Sequence, residues 1–145
     1  MAEKIVYTYV VADILHLGHL LYLENAKGLV GLEGKLIVGV LTDEAAMEKK
    51  QRPILPFNER MELVKSLKCV DCAVAQPEYS PINNIKIIRP DILVESSSHP
   101  EEDLLKIKGV AESVSCRVVV LPYFPDQCST KIKEKIREDY NDGKK

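Results

Sequence analysis

The stretch IVYTYVVADILHLGHLLYLENAK, residues 5–27, contains the two elements that decide the fold of this chain. Its first seven residues are apolar and rich in β-branched side chains, which predicts a buried strand. The residues after His19 predict a helix, and the corner between strand and helix places His16 and His19 on either side of Gly18. A strand that leads through a short corner into a helix is the basic unit of α/β folds.

The same alternation of apolar runs and helical segments continues along the chain. Apolar runs of strand length occupy residues 5–11, 35–42, 72–76, 91–95 and 117–122. Because these runs are continuous, each strand is expected to be covered by helices on both faces, as in a parallel sheet. We therefore predict one domain over residues 1–145, an α/β Rossmann-like doubly wound domain with a five-stranded parallel sheet and single helices between the strands.

Three helix starts are marked by residues that commonly cap helices. Asn58 is predicted to be the N-cap of ERMELVKSL, and Ser80 is predicted to cap a helix that has Pro81 at its first position. Ser129 precedes TKIKEKIRED and is predicted to begin the last helix.

Charge and hydropathy exclude several classes of partner. The formal net charge is −2 and the pI is near 5.9, so no general electrostatic attraction to nucleic acid or to an anionic membrane is expected. No segment approaches the roughly 20 apolar residues of a membrane span. The start, MAEKIVYTYVVADI, does not resemble a secretory signal, which predicts a cytoplasmic protein.

The cysteines give no sign of a metal or redox site. Cys69 and Cys72 form a CxxC pair, but no second ligand pair stands at zinc-site spacing. The pair also resembles a turn before a strand, whereas a thioredoxin-type pair follows a strand and begins a helix. We predict buried or half-buried free thiols at these two positions and at Cys116 and Cys128, and no protein-held metal.

The corner around Gly18 has the features of an anion site. Ligands of open α/β sheets bind beyond the carboxyl ends of the strands, where helix N-termini present free N–H groups. His16 and His19 can donate hydrogen bonds there to phosphate oxygens. Two other interpretations are ordinary surface or half-buried histidines and an i, i+3 metal pair. The position of the corner after the first strand favours the phosphate interpretation.

Four segments, which together extend over nearly the whole chain, resemble one known family. ADILHLGHLLYLENAK resembles the HxGH signature of the nucleotidyltransferase superfamily, which includes heptose-phosphate adenylyltransferase, glycerol-3-phosphate cytidylyltransferase and archaeal FAD synthase. LIVGVLTDEAAMEKKQRPILPFNERMELVKSL resembles the family's second strand, its lysine loop and the helix that follows. KCVDCAV resembles the RxVDxV segment, and DQCSTKIKEKI resembles the C-terminal ISTT motif.

The resemblance implies an enzyme that transfers AMP or CMP from ATP or CTP to a small phosphorylated acceptor and releases pyrophosphate. The acceptor is expected to be a sugar or polyol phosphate, as in heptose or glycerol phosphate activation. Mg²⁺ is expected to accompany the nucleotide as cofactor. Residues 52–60 favour ATP over CTP, and family members are often homodimers.

The resemblance also implies roles for particular residues. The catalytic set comprises His16, His19 and Lys49, with Lys50 and Arg52 as neighbouring basic residues. The nucleotide-binding set comprises Val11, Ala12, Asp13, Gly18, Arg60, Cys128, Ser129 and Thr130. The acceptor-binding set comprises Glu95, Ser96, Ser97 and His99.

Several of these residues have a purely structural alternative. The basic loop around Lys49 could be solvated, and Arg60 could pair with an acid instead of touching phosphate. Asp13 could support the end of the first strand. Ser129 could simply cap the last helix.

Three segments depart from the family's usual pattern. Val10, Val11 and Ala12 stand where glycine, a hydroxyl residue and phenylalanine are usual. VESSSHP, residues 94–100, replaces a Gly-Asp loop, and Tyr123 lies where an arginine is often found. A non-catalytic nucleotide-binding relative is therefore the second hypothesis beside the enzyme. A purely structural module is disfavoured, because paired histidines at a ligand-binding corner would then be a coincidence.

Overall fold

Five parallel strands form the central sheet in the order β3-β2-β1-β4-β5. The computed structural model describes residues 3–122 and 129–143. The strands are β1 (Ile5–Val10), β2 (Lys35–Leu41), β3 (Cys72–Gln76), β4 (Ile92–Ser96) and β5 (Arg117–Leu121). The helices are α1 (Leu17–Gly28), α2 (Asp43–Met47), α3 (Phe57–Lys65), α4 (Ile82–Ile88), α5 (Glu101–Ser113) and α6 (Ser129–Gly143). The predicted α/β Rossmann-like fold is confirmed.

The strand order places a ligand-binding crevice between β1 and β4. The chain moves outward from β1 to β2 and β3, then returns to the other side of β1 for β4 and β5. The loops after β1 and β4 therefore leave the sheet edge in opposite directions and open a crevice between them. The corner that contains His16 follows β1, and the VESSSHP segment ends β4, so both predicted site segments border this crevice.

Each face of the sheet has its own apolar core. On one face, α1 and α3 pack on the sheet through a cluster that includes Leu23, Val38 and Val64. On the other face, α4 and α5 pack through a cluster that includes Ile85 and Ile107. Burial on both faces explains why the strands are continuously apolar in sequence.

The starts of two helices, α3 and α4, differ from prediction. Helix α3 begins at Phe57 with Pro56 as its N-cap, so Asn58 lies inside the helix and is not its cap. Pro56 has no side chain that could cap the helix, and its carbonyl accepts hydrogen bonds from the N–H groups of Glu59 and Arg60. Pro81 is itself the N-cap of α4, while the Ser80 hydroxyl accepts a hydrogen bond from the Ile82 N–H at 3.3 Å.

Between β2 and β3 the chain forms two helices where one was predicted. The hydroxyl of Thr42 caps α2 by accepting a hydrogen bond from the Ala45 N–H at 3.1 Å. Pro53 and Pro56 then prevent a continuous helix, so α3 forms separately.

The cysteines of the described chain are free. Cys69 is half-buried and Cys116 is buried, as predicted. Cys72 is exposed, which corrects the prediction, because it is the first residue of the edge strand β3. Cys128 lies outside the described residues. Among the described residues, no helix combines the length and apolarity needed to cross a membrane.

Gly39 in β2 leaves room for a buried polar cluster. The Tyr7 hydroxyl donates a hydrogen bond to Gln76 Oε1 and accepts one from Asn84 Nδ2 at 2.9 Å. A Cβ on residue 39 would lie 2.0 Å from the Tyr7 hydroxyl oxygen and 3.0 Å from Gln76 Oε1. The absence of a side chain at Gly39 is therefore required for Tyr7 to reach its partners.

We expect Gly39→Ala to lower the free energy of unfolding by about 1–3 kcal/mol, because the methyl group would displace Tyr7 from a closely packed site. Urea unfolding measures this change. Gly109→Ala is the matched control: nothing lies within 4 Å of a Cβ there, and in the middle of α5 alanine should stabilise by about 0.5–1 kcal/mol. Equal stability of the two variants would contradict the packing argument.

Candidate active site

The crevice between β1 and β4 opens into a pocket of about 580 Å³. Its wall combines the β1–α1 corner, the loop after α2, the end of β4 and one side of α6. Six residues of the predicted site belong to the β1–α1 side of this wall: Val11, Ala12, Asp13, His16, Gly18 and His19.

His16 and His19 are held by the first turn of α1. His16 is the N-cap, and its Nδ1 accepts a hydrogen bond from the Gly18 N–H at 3.0 Å. His19 Nδ1 accepts one from the His16 N–H at 3.3 Å. The two rings therefore act as a reciprocal capping box, with ring centroids 4.0 Å apart.

This capping arrangement determines which ring nitrogen carries the proton in each neutral imidazole. A nitrogen that accepts a backbone N–H bond carries no proton, so His16 and His19 each carry their proton on Nε2. Burial lowers the pKa of His16, and burial, the neighbouring His16 and Lys50 lower the pKa of His19 to about 4. The corner thus offers two neutral rings whose Nε2–H groups can donate to a ligand.

The lowered pKa of His19 makes stability depend on pH. The unfolded chain takes up a proton near pH 6.5, whereas folded His19 does so only near pH 4. The free energy of unfolding should therefore fall by up to about 3 kcal/mol as the pH falls from about 6.5 to about 4. Urea unfolding over this range measures the slope. His19→Gln is the control, because it keeps the cap acceptor and removes the titrating group; equal slopes in both proteins would contradict the assignment.

Asp13 has the structural role that was the alternative to nucleotide binding: it supports the end of the first strand. Its Oδ1 accepts a hydrogen bond from the Leu55 N–H at 2.9 Å, and its Oδ2 pairs with Lys133 of α6. Burial by itself raises the pKa of Asp13, but these hydrogen bonds outweigh burial and lower it. Asp13 therefore links three segments of the pocket wall. The neighbouring residue Ala12 is buried and has a left-handed backbone conformation, with a φ of 55°.

The structure places Lys50 on the pocket wall, whereas Lys49 is not among the lining residues. Lys50 and Gln51 line the pocket. Lys49 Nζ lies 3.4 Å from Asp103 Oδ2 and 5.6 Å from the centre of the Tyr79 ring. The prediction that Lys49 is the catalytic lysine is therefore not supported by its position, and Lys50 is the better placed of the two.

Arg60 does not face the pocket, which corrects its predicted contact with nucleotide. Its side chain is fully buried, and its guanidinium bonds to three backbone carbonyls and to the Asp43 carboxylate at 2.6 Å. The alternative of pairing with an acid is confirmed. Arg60 is a structural residue beneath the pocket wall.

The end of β4 supplies part of the predicted acceptor-binding set. Of this set, Ser96 and His99 line the pocket and Ser97 does not, while Ser98, which was not in the predicted set, also lines it. Glu95 is fully buried and does not line the pocket, which corrects its assignment as a direct contact. Its carboxylate instead accepts hydrogen bonds from neighbouring side chains, because a buried charge needs such partners.

Helix α6 contributes residues that sequence reasoning missed. Lys133, Glu134 and Arg137 line the pocket. Lys133 and Arg137 are four residues apart, so they share one helix face, and that spacing after the ISTT-like segment is the signal that could have revealed them. Ser129 is the first residue of α6, but its side chain and that of Thr130 are not among the described features. Cys128 and Tyr123 lie outside the described residues.

The described part of the chain holds no group of three or more His, Cys, Asp or Glu side chains that could bind a metal by themselves. Asp13 is the carboxylate nearest in sequence to the two histidines, and both of its oxygens are already bonded. A metal ion at this pocket would thus need most of its ligands from a bound molecule.

The sequence pattern of one family covers most of the chain. The cytidylyltransferase-like family pattern matches residues 8–137, from β1 into α6. The chain belongs to the cytidylyltransferase-like family. The predicted membership of a nucleotidyltransferase family is thereby confirmed.

Relatives of this cytidylyltransferase-like chain include longer proteins. The bifunctional protein HldE of Helicobacter acinonychis is 36% identical over 143 residues, which is 97% of this chain and 29% of that protein. The bifunctional protein HldE of Citrifermentans bemidjiense is 32% identical over 140 residues, 95% of this chain and 28% of that protein. This chain spans less than a third of the length of these relatives.

A solved structure of similar size matches the cytidylyltransferase-like fold. The lipopolysaccharide core biosynthesis protein of Thermoplasma volcanium superposes with a TM-score of 0.74 and 29% identity. The match covers 85% of this chain and 99% of that protein.

Proposed function

We propose that this protein transfers a nucleotidyl group from ATP, or alternatively CTP, to a sugar or polyol phosphate and releases pyrophosphate. The observation that carries the proposal is the pair of Nε2–H donors on His16 and His19 at the N-terminus of α1, inside the crevice where this fold binds ligands. The Thermoplasma volcanium protein of the same fold, which is named for lipopolysaccharide core biosynthesis, supports a sugar phosphate as acceptor.

In the proposed reaction, an oxygen of the acceptor phosphate attacks the α-phosphorus of the nucleotide. The bond between the α-phosphorus and the bridging oxygen to the β-phosphate breaks, and pyrophosphate leaves. No covalent enzyme intermediate is needed, so the protein acts by positioning and by stabilising charge. His16 and His19 donate hydrogen bonds to the oxygens on which charge increases.

The cations of the pocket fit a triphosphate. Lys50 comes from the loop after α2, while Lys133 and Arg137 come from α6, so positive charge reaches the pocket from two sides. Mg²⁺ is expected to be held chiefly by triphosphate oxygens and to neutralise part of their charge. Lys50 and Arg137, which line the pocket from these two sides, are the proposed phosphate contacts, and Lys133 is paired with Asp13.

Pyrophosphate release tests the proposal. The protein is incubated with Mg²⁺, each nucleoside triphosphate and a panel of sugar and polyol phosphates. Release that requires both nucleotide and acceptor supports the transferase. Nucleotide binding without pyrophosphate release from any acceptor would instead support the non-catalytic nucleotide-binding relative.

A further inference from the structure

The third histidine of the chain lies on the opposite side of the pocket from the first two. His99 follows β4, and its ring centre is 5.9 Å from that of Tyr9 and 6.5 Å from that of Tyr79. Tyr9 packs with the core cluster covered by α4 and α5, whereas His16 and His19 begin α1 on the other face of the sheet. The crevice therefore has imidazoles on both of its sides.

A buried carboxylate holds His99. Glu95 is fully buried, and its Oε2 lies 2.7 Å from His99 Nδ1. The Tyr9 hydroxyl lies 2.9 Å from Oε1 and 2.8 Å from Oε2 of the same carboxylate. Burial and the adjacent Glu95 raise the pKa of Tyr9, so the Tyr9 hydroxyl stays protonated and donates its hydrogen bond to the Glu95 carboxylate. An ionised carboxylate can only accept, so His99 must supply its own proton on Nδ1.

His99 therefore has the opposite tautomer to His16 and His19. With Nδ1–H bonded to Glu95, the nitrogen that remains for a ligand is Nε2, and in the neutral ring Nε2 is an acceptor. The first two histidines present donors, which suit phosphate oxygens. A neutral His99 presents an acceptor, which suits a hydroxyl group.

The side chains next to His99 also suit a ligand that carries hydroxyl groups. Ser96 and Ser98 line the pocket beside it, and their hydroxyl oxygens lie 2.9 Å apart. Hydroxyl groups can both donate and accept, so this side of the pocket complements a ligand that carries several hydroxyls.

We infer that His99 binds a hydroxyl group of the acceptor through Nε2, with Glu95 as the positioning residue, so that the pocket selects polyhydroxylated phosphate esters. This inference rests on the proposed function and adds a specificity determinant to it. A phosphate ester that lacks hydroxyls would leave Nε2 of His99 without a partner, and such a loss is commonly worth about tenfold in binding.

The tautomers can be measured without any ligand. The chain has only three histidines, so long-range ¹H–¹⁵N spectra of the full chain resolve each ring. Above the pH at which the rings titrate, we expect His16 and His19 as Nε2–H tautomers and His99 as the Nδ1–H tautomer. An Nε2–H tautomer at His99 would overturn the inference.

Glu95→Gln tests the positioning role. The Tyr9 hydroxyl should hold the amide oxygen, which turns the amide NH₂ toward His99 Nδ1 and converts His99 to the Nε2–H tautomer. The KM for the acceptor should then rise about tenfold, with the KM for nucleotide unchanged. Glu112→Gln, an exposed carboxylate on α5, is the matched control and should change neither value. An unchanged His99 tautomer in Glu95→Gln would contradict the role of Glu95.

Matched acceptors test the specificity itself. Glycerol 3-phosphate is compared with propyl phosphate, and mannose 1-phosphate with cyclohexyl phosphate, by pyrophosphate release in wild type and in His99→Phe. We expect wild type to prefer at least one hydroxyl-bearing ester about tenfold over its matched ester without hydroxyls. This preference should disappear in His99→Phe. Equal use of both members of each pair would refute the inference and leave the proposed function intact. No release from any ester would refute the proposed function, and the tautomer spectra would still decide the state of His99.

Discussion

Replacing either His16 or His19 should lower the turnover of pyrophosphate release by about 10²–10³-fold, because each change removes a preorganised hydrogen-bond donor from the reacting phosphates. The two rings are 4.0 Å apart, and each is fixed by a backbone N–H bond at Nδ1, so their Nε2–H groups do not have to reorganise during the reaction. The measurement is kcat with saturating nucleotide and acceptor.

Both histidines also cap α1, so the substitutions must separate capping from chemistry. His16→Asn is suitable because asparagine is a favoured N-cap, and its short side chain does not replace the Nε2–H donor. His19→Gln is suitable because glutamine at this position keeps the capping box. We expect both variants to unfold within about 1 kcal/mol of wild type while losing turnover.

Other outcomes would point to different roles. A tenfold loss or less in both variants would argue against phosphate stabilisation by the pair. A large loss of stability together with turnover would show that the rings act chiefly as caps. Because the two donors act on one charge, the double variant should lose less than the product of the single losses.

The strands and the crevice could be predicted from sequence because their signals are local. Strand β3 has the predicted bounds, residues 72–76, and β1, which ends at Val10, differs by one residue. Continuous apolar runs specify buried strands, and the parallel order then fixes where their carboxyl ends meet. The placement of His16 and His19 in the pocket followed from this geometry.

The charged residues were harder to predict because their partners are distant in sequence. Arg60 and Glu95 are polar in sequence, but both are fully buried in the fold. Arg60 bonds to the Val11 carbonyl 49 residues away, and Glu95 accepts from Tyr9 86 residues away. No local pattern reveals such pairs. The same reason applies to Lys133, whose partner Asp13 is 120 residues away.

Arg60→Met should lower the free energy of unfolding by about 3–5 kcal/mol, since it breaks a buried ion pair and leaves its partners unsatisfied. Nε donates to the Leu55 carbonyl at 3.0 Å, while Nη1 donates to the carbonyls of Val11 and Leu41, both at 2.7 Å. Methionine has a similar length but cannot donate. Asp43 and three carbonyls would then lose a bonded partner.

The effect should reach the pocket because Arg60 joins the segments that form its wall. Val11 belongs to the corner after β1, Leu41 ends β2, and both line the pocket. A variant that remains folded at low temperature should therefore bind nucleotide more weakly, although Arg60 itself does not touch the pocket. Isothermal titration with a non-hydrolysable nucleotide measures this loss.

Two further variants make the Arg60 prediction decisive. Arg60→Lys keeps the charge but not the planar fork, so it should recover only part of the lost stability. Arg117→Met makes the same change at an exposed position of β5 and should stay within about 0.5 kcal/mol of wild type. If Arg60→Met unfolds like Arg117→Met, the guanidinium contributes no net stability. If Arg60→Met keeps wild-type stability but loses nucleotide affinity, Arg60 positions the pocket wall without contributing net stability.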